Sequence, residues 1–96
     1  MNISQIQQQL QSQKAQLDDL DVQSLILFGS VARSEATATS DIDFLVTFRS
    51  TPTFDMYMDL KLFLEDLFGM PVDLVTTDAV RPQLRPFIEQ EGIYVA

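Results

Sequence analysis

The chain has 96 residues, with six Lys and Arg against fourteen Asp and Glu, a formal net charge of −8, and neither cysteine nor histidine. That length predicts one domain, residues 1–96, with one modest core, and the 46% hydrophobic content argues against disorder. The missing residue types exclude disulfides, thiolate nucleophiles, zinc sites built on Cys or His, and Ser-His triads, and the acidity argues against a dedicated nucleic-acid binder, which neutralises phosphates with Lys and Arg.

No basic stretch followed by an apolar one opens the chain, and no apolar run reaches membrane-spanning length, so a cytoplasmic protein with no membrane contact is expected. Ile3, Ile6, Leu10, Leu17 and Leu20 fall near helical spacing among glutamines, which predicts an amphipathic helix ending at 18–20. Asp18, Asp19 and Asp21 then read as a solvated loop. A first strand is expected over 22–28, followed by Gly29-Ser30 and a segment, 31–40, holding a short helix and a polar loop. A second strand follows over 42–48, with Ile42, Phe44, Val46 and Phe48 on its buried face.

Thr51 and Pro52 are the expected cap and first residue of a long helix that Gly69 closes. Along it Tyr57, Leu60, Leu64 and Leu67 form a core stripe. Met56, Met58, Leu62, Phe63 and Phe68 widen the apolar surface toward a second face able to meet a partner. A third strand is expected over 71–75. The stretch between the second and third strands is long enough for a helical crossover, which allows the two to lie parallel. Pro82 and Pro86 predict a short broken helix to about residue 90, and 93–95 adds an edge strand.

Chemistry concentrates at Asp41 and Asp43. Aspartate is depleted in strands, and two carboxylates on one strand face repel by about 3 kcal/mol at roughly 6 Å and an effective dielectric near 20. A hard cation offsets that cost, because Mg²⁺ takes one or two carboxylates and completes its shell with water and phosphate oxygens. By itself S-D-x-D is more often a polar turn ahead of a strand. Ten residues earlier, however, Gly29-Ser30 gives a backbone that approaches phosphate closely. Asp73, in the third strand, comes near the same end if the strands are parallel. Arg33 serves either phosphate or the loop itself.

The runs G-S-x-A-R (Gly29, Ser30, Ala32, Arg33) and S-D-I-D (Ser40, Asp41, Ile42, Asp43) resemble the signature of the polymerase-β type nucleotidyltransferases, and of its minimal nucleotidyltransferases in particular. The likeness extends to PVDLV around Asp73 and to LRPFIEQEGIYV near the C-terminus. One departure is Ser34, where family members often carry glycine.

The resemblance implies an α/β fold of α+β type, a small mixed sheet packed with helices. It implies Asp41, Asp43 and Asp73 as catalytic residues and metal ligands for two Mg²⁺ ions, and Gly29, Ser30, Arg33 and Ser40 as the nucleotide-binding set, with ATP as substrate. Minimal members of the family resemble antitoxins that add AMP to a tyrosine of a HEPN-type ribonuclease toxin, so a toxin of that kind is the expected partner. Two other readings stand beside it: a non-catalytic module that neutralises its partner by occlusion, and a small-molecule transferase acting as an oligomer.

Overall fold

The computed structural model describes residues 2–33, 35 and 41–96. Asn2 caps the first helix, α1 (Ile3–Ser12), by accepting the Gln5 N–H at 2.8 Å. The expected continuous helix breaks at Gln13 and resumes as α2 (Lys14–Asp19). Ile6, Leu10 and Leu17 still reach the core, because the break falls between two apolar turns.

Four strands form one mixed sheet in the order β3-β2-β1-β4. β1 (Val22–Phe28) and β2 (Ile42–Phe48) are antiparallel and carry the expected bounds. β3 (Val72–Thr76) lies parallel to β2, one residue later than the expected strand, and β4 (Ile93–Tyr94) lies antiparallel to β1. A one-turn helix, α3 (Gly29–Ala32), follows β1 directly and begins earlier than the sequence pattern implied.

The crossover from β2 to β3 is α4 (Phe54–Phe68). Its cap is Thr53, whose hydroxyl accepts the Met56 N–H at 3.2 Å; the expected cap, Thr51, and Pro52 both lie ahead of the helix. A side-chain oxygen placed to take the third N–H of the helix outweighs a proline positioned too early. Gly69 ends the helix in the left-handed conformation, φ 64°, and turns the chain into β3.

Period-2 burial divides the two sheet faces. Ile42, Phe44, Val46 and Phe48 point into the main core with Leu25, Leu27, Leu60, Leu64 and Phe68, and Phe44 stacks on Phe68 with ring centroids 6.0 Å apart. The helical stripe is thus core at Leu60 and Leu64, while Leu62 and Phe54 remain exposed, 56% and 75%. Leu45 and Ile88 are buried outside that core, on the opposite face, where α5 (Arg85–Glu91) covers part of the sheet.

α4 also protects the open edge of the sheet. Ile42 donates its N–H to the Pro71 carbonyl, so by alternation Val72 and Leu74 direct their backbone groups away from β2. The Val72 N–H donates to Glu65 Oε2 at 3.0 Å, and the Tyr57 hydroxyl donates to the Leu74 carbonyl at 2.6 Å.

At the far end of the sheet the acidic hinge is tied down. Asp18 pairs with Arg49 at 2.7 Å, and the Asp21 carboxylate accepts the Ser50 N–H at 3.0 Å and the Ser50 hydroxyl. Asp21 itself takes a left-handed backbone, φ 64°, which a short polar side chain tolerates. Asp21→Ala is expected to cost about 1–2 kcal/mol in urea unfolding through lost hydrogen bonds and backbone strain. Asp21→Asn, which keeps an acceptor and tolerates the same conformation, should cost less than half as much.

Candidate active site

Three chain segments meet where β1 ends and β2 and β3 begin. β1 delivers Phe28 opposite Asp43, and the parallel register sets Asp43 beside Asp73. Aligned parallel strands force this pairing, because both aspartates occupy the second position of their strands. The strand pattern turns both side chains away from the main core, onto the face that carries Leu45.

Gly29 closes the site from the β1 side. Its backbone adopts φ +76°, in the region that favours glycine, and a Cβ at this position would run into the Asp43 carboxylate. The turn therefore lies directly against one of the candidate ligands. Ser30 follows on α3, which Val31 anchors in the core. Arg33 caps α3, its N–H donating to the Gly29 carbonyl at 3.2 Å. Its guanidinium donates to Glu35 at 3.1 Å and to Glu91 at 3.2 Å, and these hydrogen bonds, that to Glu35 first, raise its pKa further.

Asp43 is the strained group. Its pKa is pushed up from 3.8 to about 6, first by burial, then by the charge of Asp73 and a hydrogen bond shared with it, then by Asp41; Arg33 opposes the shift. A half-buried carboxylate that holds its proton more tightly than usual beside a second carboxylate is a place where a divalent cation can offset the charge. The hard oxygen donors of Asp43 and Asp73 fit Mg²⁺, which needs only one or two carboxylates.

Among the described residues no group of three Asp, Glu, His or Cys is gathered closely enough to hold a metal by itself. The expected three-carboxylate set is thus a close pair, Asp43 with Asp73, and an exposed neighbour, Asp41, just ahead of β2, whose charge acts on Asp43. Ser40, and Ser34 with its departure from the family pattern, lie outside the described residues. Glu35 and Glu91 were missing from the residues singled out in the sequence. Glu91 meets Arg33 across 58 positions, and no local spacing signals such a contact.

Two consequences can be measured without a ligand. Because the folded state holds the Asp43 proton more tightly than the unfolded chain, the associated stability is fully present below pH 3.8 and is lost as pH rises through about 6. Asp43→Asn is therefore expected to match wild type in melting temperature near pH 3.5 and to exceed it above pH 6.5. Gly29→Ala should cost about 2 kcal/mol or more in denaturant unfolding, from backbone strain plus the clash. In an Asp43→Ala background that cost should shrink, leaving the strain and the milder crowding against the Cβ that alanine retains, as a double-mutant cycle would read.

The nucleotidyltransferase domain family matches residues 4–95 of the chain. A candidate protein adenylyltransferase of Methanocaldococcus jannaschii, MJ0128, is 42% identical over 95 residues, 97% of each chain. Protein adenylyltransferase MntA of Thermococcus cleftensis is 31% identical over 96 residues, 99% of this chain and 97% of its own. A candidate minimal nucleotidyltransferase of known structure superposes with a TM-score of 0.81 at 33% identity, covering 97% of this chain and 95% of its own. A complex of tri-AMPylated Shewanella oneidensis HEPN toxin with MNT antitoxin matches with a TM-score of 0.68 at 22% identity, over 95% of this chain and 71% of that one, a likeness of fold alone. A match that runs from the first helix through the last strand takes in every element around Asp43: the chain belongs to the nucleotidyltransferase domain family.

Proposed function

We propose that this chain moves AMP from ATP to a hydroxyl of a partner protein, a tyrosine of a HEPN-type ribonuclease toxin, and so acts as the antitoxin of a cytoplasmic toxin–antitoxin pair. The observation that carries the reading is Asp43, held beside Asp73 by strand register and against Gly29 by the turn. Two relatives similar along nearly their whole length bear the name of protein adenylyltransferase, one of them as a candidate. A structural neighbour is an MNT antitoxin in complex with an AMPylated HEPN toxin, and another is a toxin–antitoxin structure with AMP-PNP.

In this reading Asp43 and Asp73, with Asp41 beside them, would hold two Mg²⁺ ions. Metal held there would supply positive charge to neutralise the triphosphate and to stabilise the attacking and leaving oxygens of an in-line displacement. Gly29 and Ser30 seat the triphosphate, with Arg33 and Ser40 beside it. Asp73 accepts the proton of the acceptor hydroxyl as its oxygen bonds to the α-phosphorus. The bond to the β-phosphate oxygen breaks and pyrophosphate leaves. The 96 residues act as one catalytic unit, and the partner supplies the acceptor side of the site.

The exposed Phe54 and Leu62 on α4 favour a second reading, in which binding alone neutralises the partner. Purified protein, Mg²⁺, α-phosphate-labelled ATP and the protein that co-purifies from its host separate the two. Label on the partner with wild type, reduced more than about 100-fold by Asp43→Ala or Asp73→Ala, supports transfer. A stable complex without label, or a triple Asp41, Asp43 and Asp73→Ala variant that still protects cells, points to occlusion. Mg²⁺ should also raise the melting temperature of wild type at pH 7.5 and leave that of Asp43→Asn unchanged.

A further inference from the structure

The nucleotide reading places Arg33 beside the triphosphate but leaves open what aims its side chain. A one-turn helix cannot fix a long, exposed arginine by itself, since α3 has only four residues and ends at Arg33. Two glutamates grip the fork instead. Nε donates to Glu35 and Nη1 to Glu91.

The two grips differ in footing. Glu35 lies two residues along the chain from Arg33 and is 65% exposed, so it travels with the turn it would have to steady. Glu91 stands on a separate and rigid base. It is the last residue of α5, whose Ile88 is buried. Gly92, next in the chain, donates its N–H to the Ile88 carbonyl at 2.7 Å and packs so tightly that a Cβ there would strike that carbonyl and the Ile26 side chain. Ile93 and Tyr94 then pair with Leu27 and Ile26 of β1. Glu91 and Gly29 are thus both referenced to the end of the same strand. Arg33 is close enough to Asp43 for its charge to act on that carboxylate.

We propose that Glu91 is a positioning residue for the nucleotide: it holds the Arg33 guanidinium so that its remaining N–H groups face a triphosphate bound beside Gly29 and Asp43. This rests on the nucleotide-binding reading above. The grip works through a hydrogen-bond acceptor at a fixed place, with charge secondary. Glu91→Gln, which keeps that acceptor, therefore preserves it, and Glu91→Ala removes it. Surface ion pairs contribute little to stability, so neither change unfolds the protein.

The test is calorimetric titration of the purified chain with AMP-PNP in the presence of Mg²⁺, for wild type, Glu91→Ala, Glu91→Gln and Arg33→Ala, with a thermal melt of each. Glu91→Ala is expected to weaken AMP-PNP about fivefold, Glu91→Gln to stay within about twofold of wild type, and both to melt within about 2 °C of it. Arg33→Ala should weaken binding at least as much as Glu91→Ala. Wild-type affinity in Glu91→Ala alongside weakened Arg33→Ala would leave the nucleotide role of Arg33 standing and overturn the role given to Glu91. Wild-type affinity in Arg33→Ala would remove both. Equal losses in Glu91→Ala and Glu91→Gln, accompanied by lowered melts, would reduce Glu91 to a brace of the fold and overturn the proposal.

Discussion

The half-buried carboxylate of Asp43, with Asp73 beside it, is the constraint that the remainder of this small protein serves. Burial makes the charged form of Asp43 costly, and the carboxylate of Asp73, set beside it by the parallel strand register, adds to that cost. A flexible chain would relieve the strain by letting the two strands slip. Here slippage is opposed by period-2 burial, because a one-residue shift of β2 would drive Phe44 and Val46 out of the core. The apolar side of the sheet thus supplies the stability that the acidic side spends.

The surrounding elements act as fixtures for that pair. Gly69 and the Glu65 carboxylate set where β3 begins, and so where Asp73 stands. The Asp18–Arg49 and Asp21–Ser50 contacts pin the opposite end of β1 and β2. Gly29 fits against Asp43 with no space for a side chain. Most of these anchoring contacts lie at the ends of the strands, the Tyr57 hydroxyl on the Leu74 carbonyl in mid-strand excepted.

Much of this was legible in the sequence because it depends on local pattern. Alternation set β1 and β2 to their observed bounds, and the length of the crossover was enough to argue a parallel β3 and the meeting of Asp73 with Asp43. The signature around Gly29 and Asp43 carried the family. Errors fell where competing local signals had similar strength: Thr51-Pro52 resembled a helix start, yet Thr53 had the oxygen in the right place. The acidic hinge is solvent-facing at Asp18 and Asp19, as read, but its partners, Arg49 and Ser50, arrive from another strand's end and leave no local signal. Glu91 was invisible for the same reason, since its role depends on a contact between the last helix and the first motif.

The guarded edge of β3 has a consequence for how this protein meets others. Tyr57 and Glu65 occupy outward-facing backbone groups of Leu74 and Val72, so a neighbouring chain cannot simply lengthen the sheet there. Any contact on that flank has to be made through the side chains of α4, where Phe54 and Leu62 already stand exposed. Recognition on that side is thereby written in side-chain shape, which discriminates among partners, and the generic backbone pairing that would accept any extended strand is withheld.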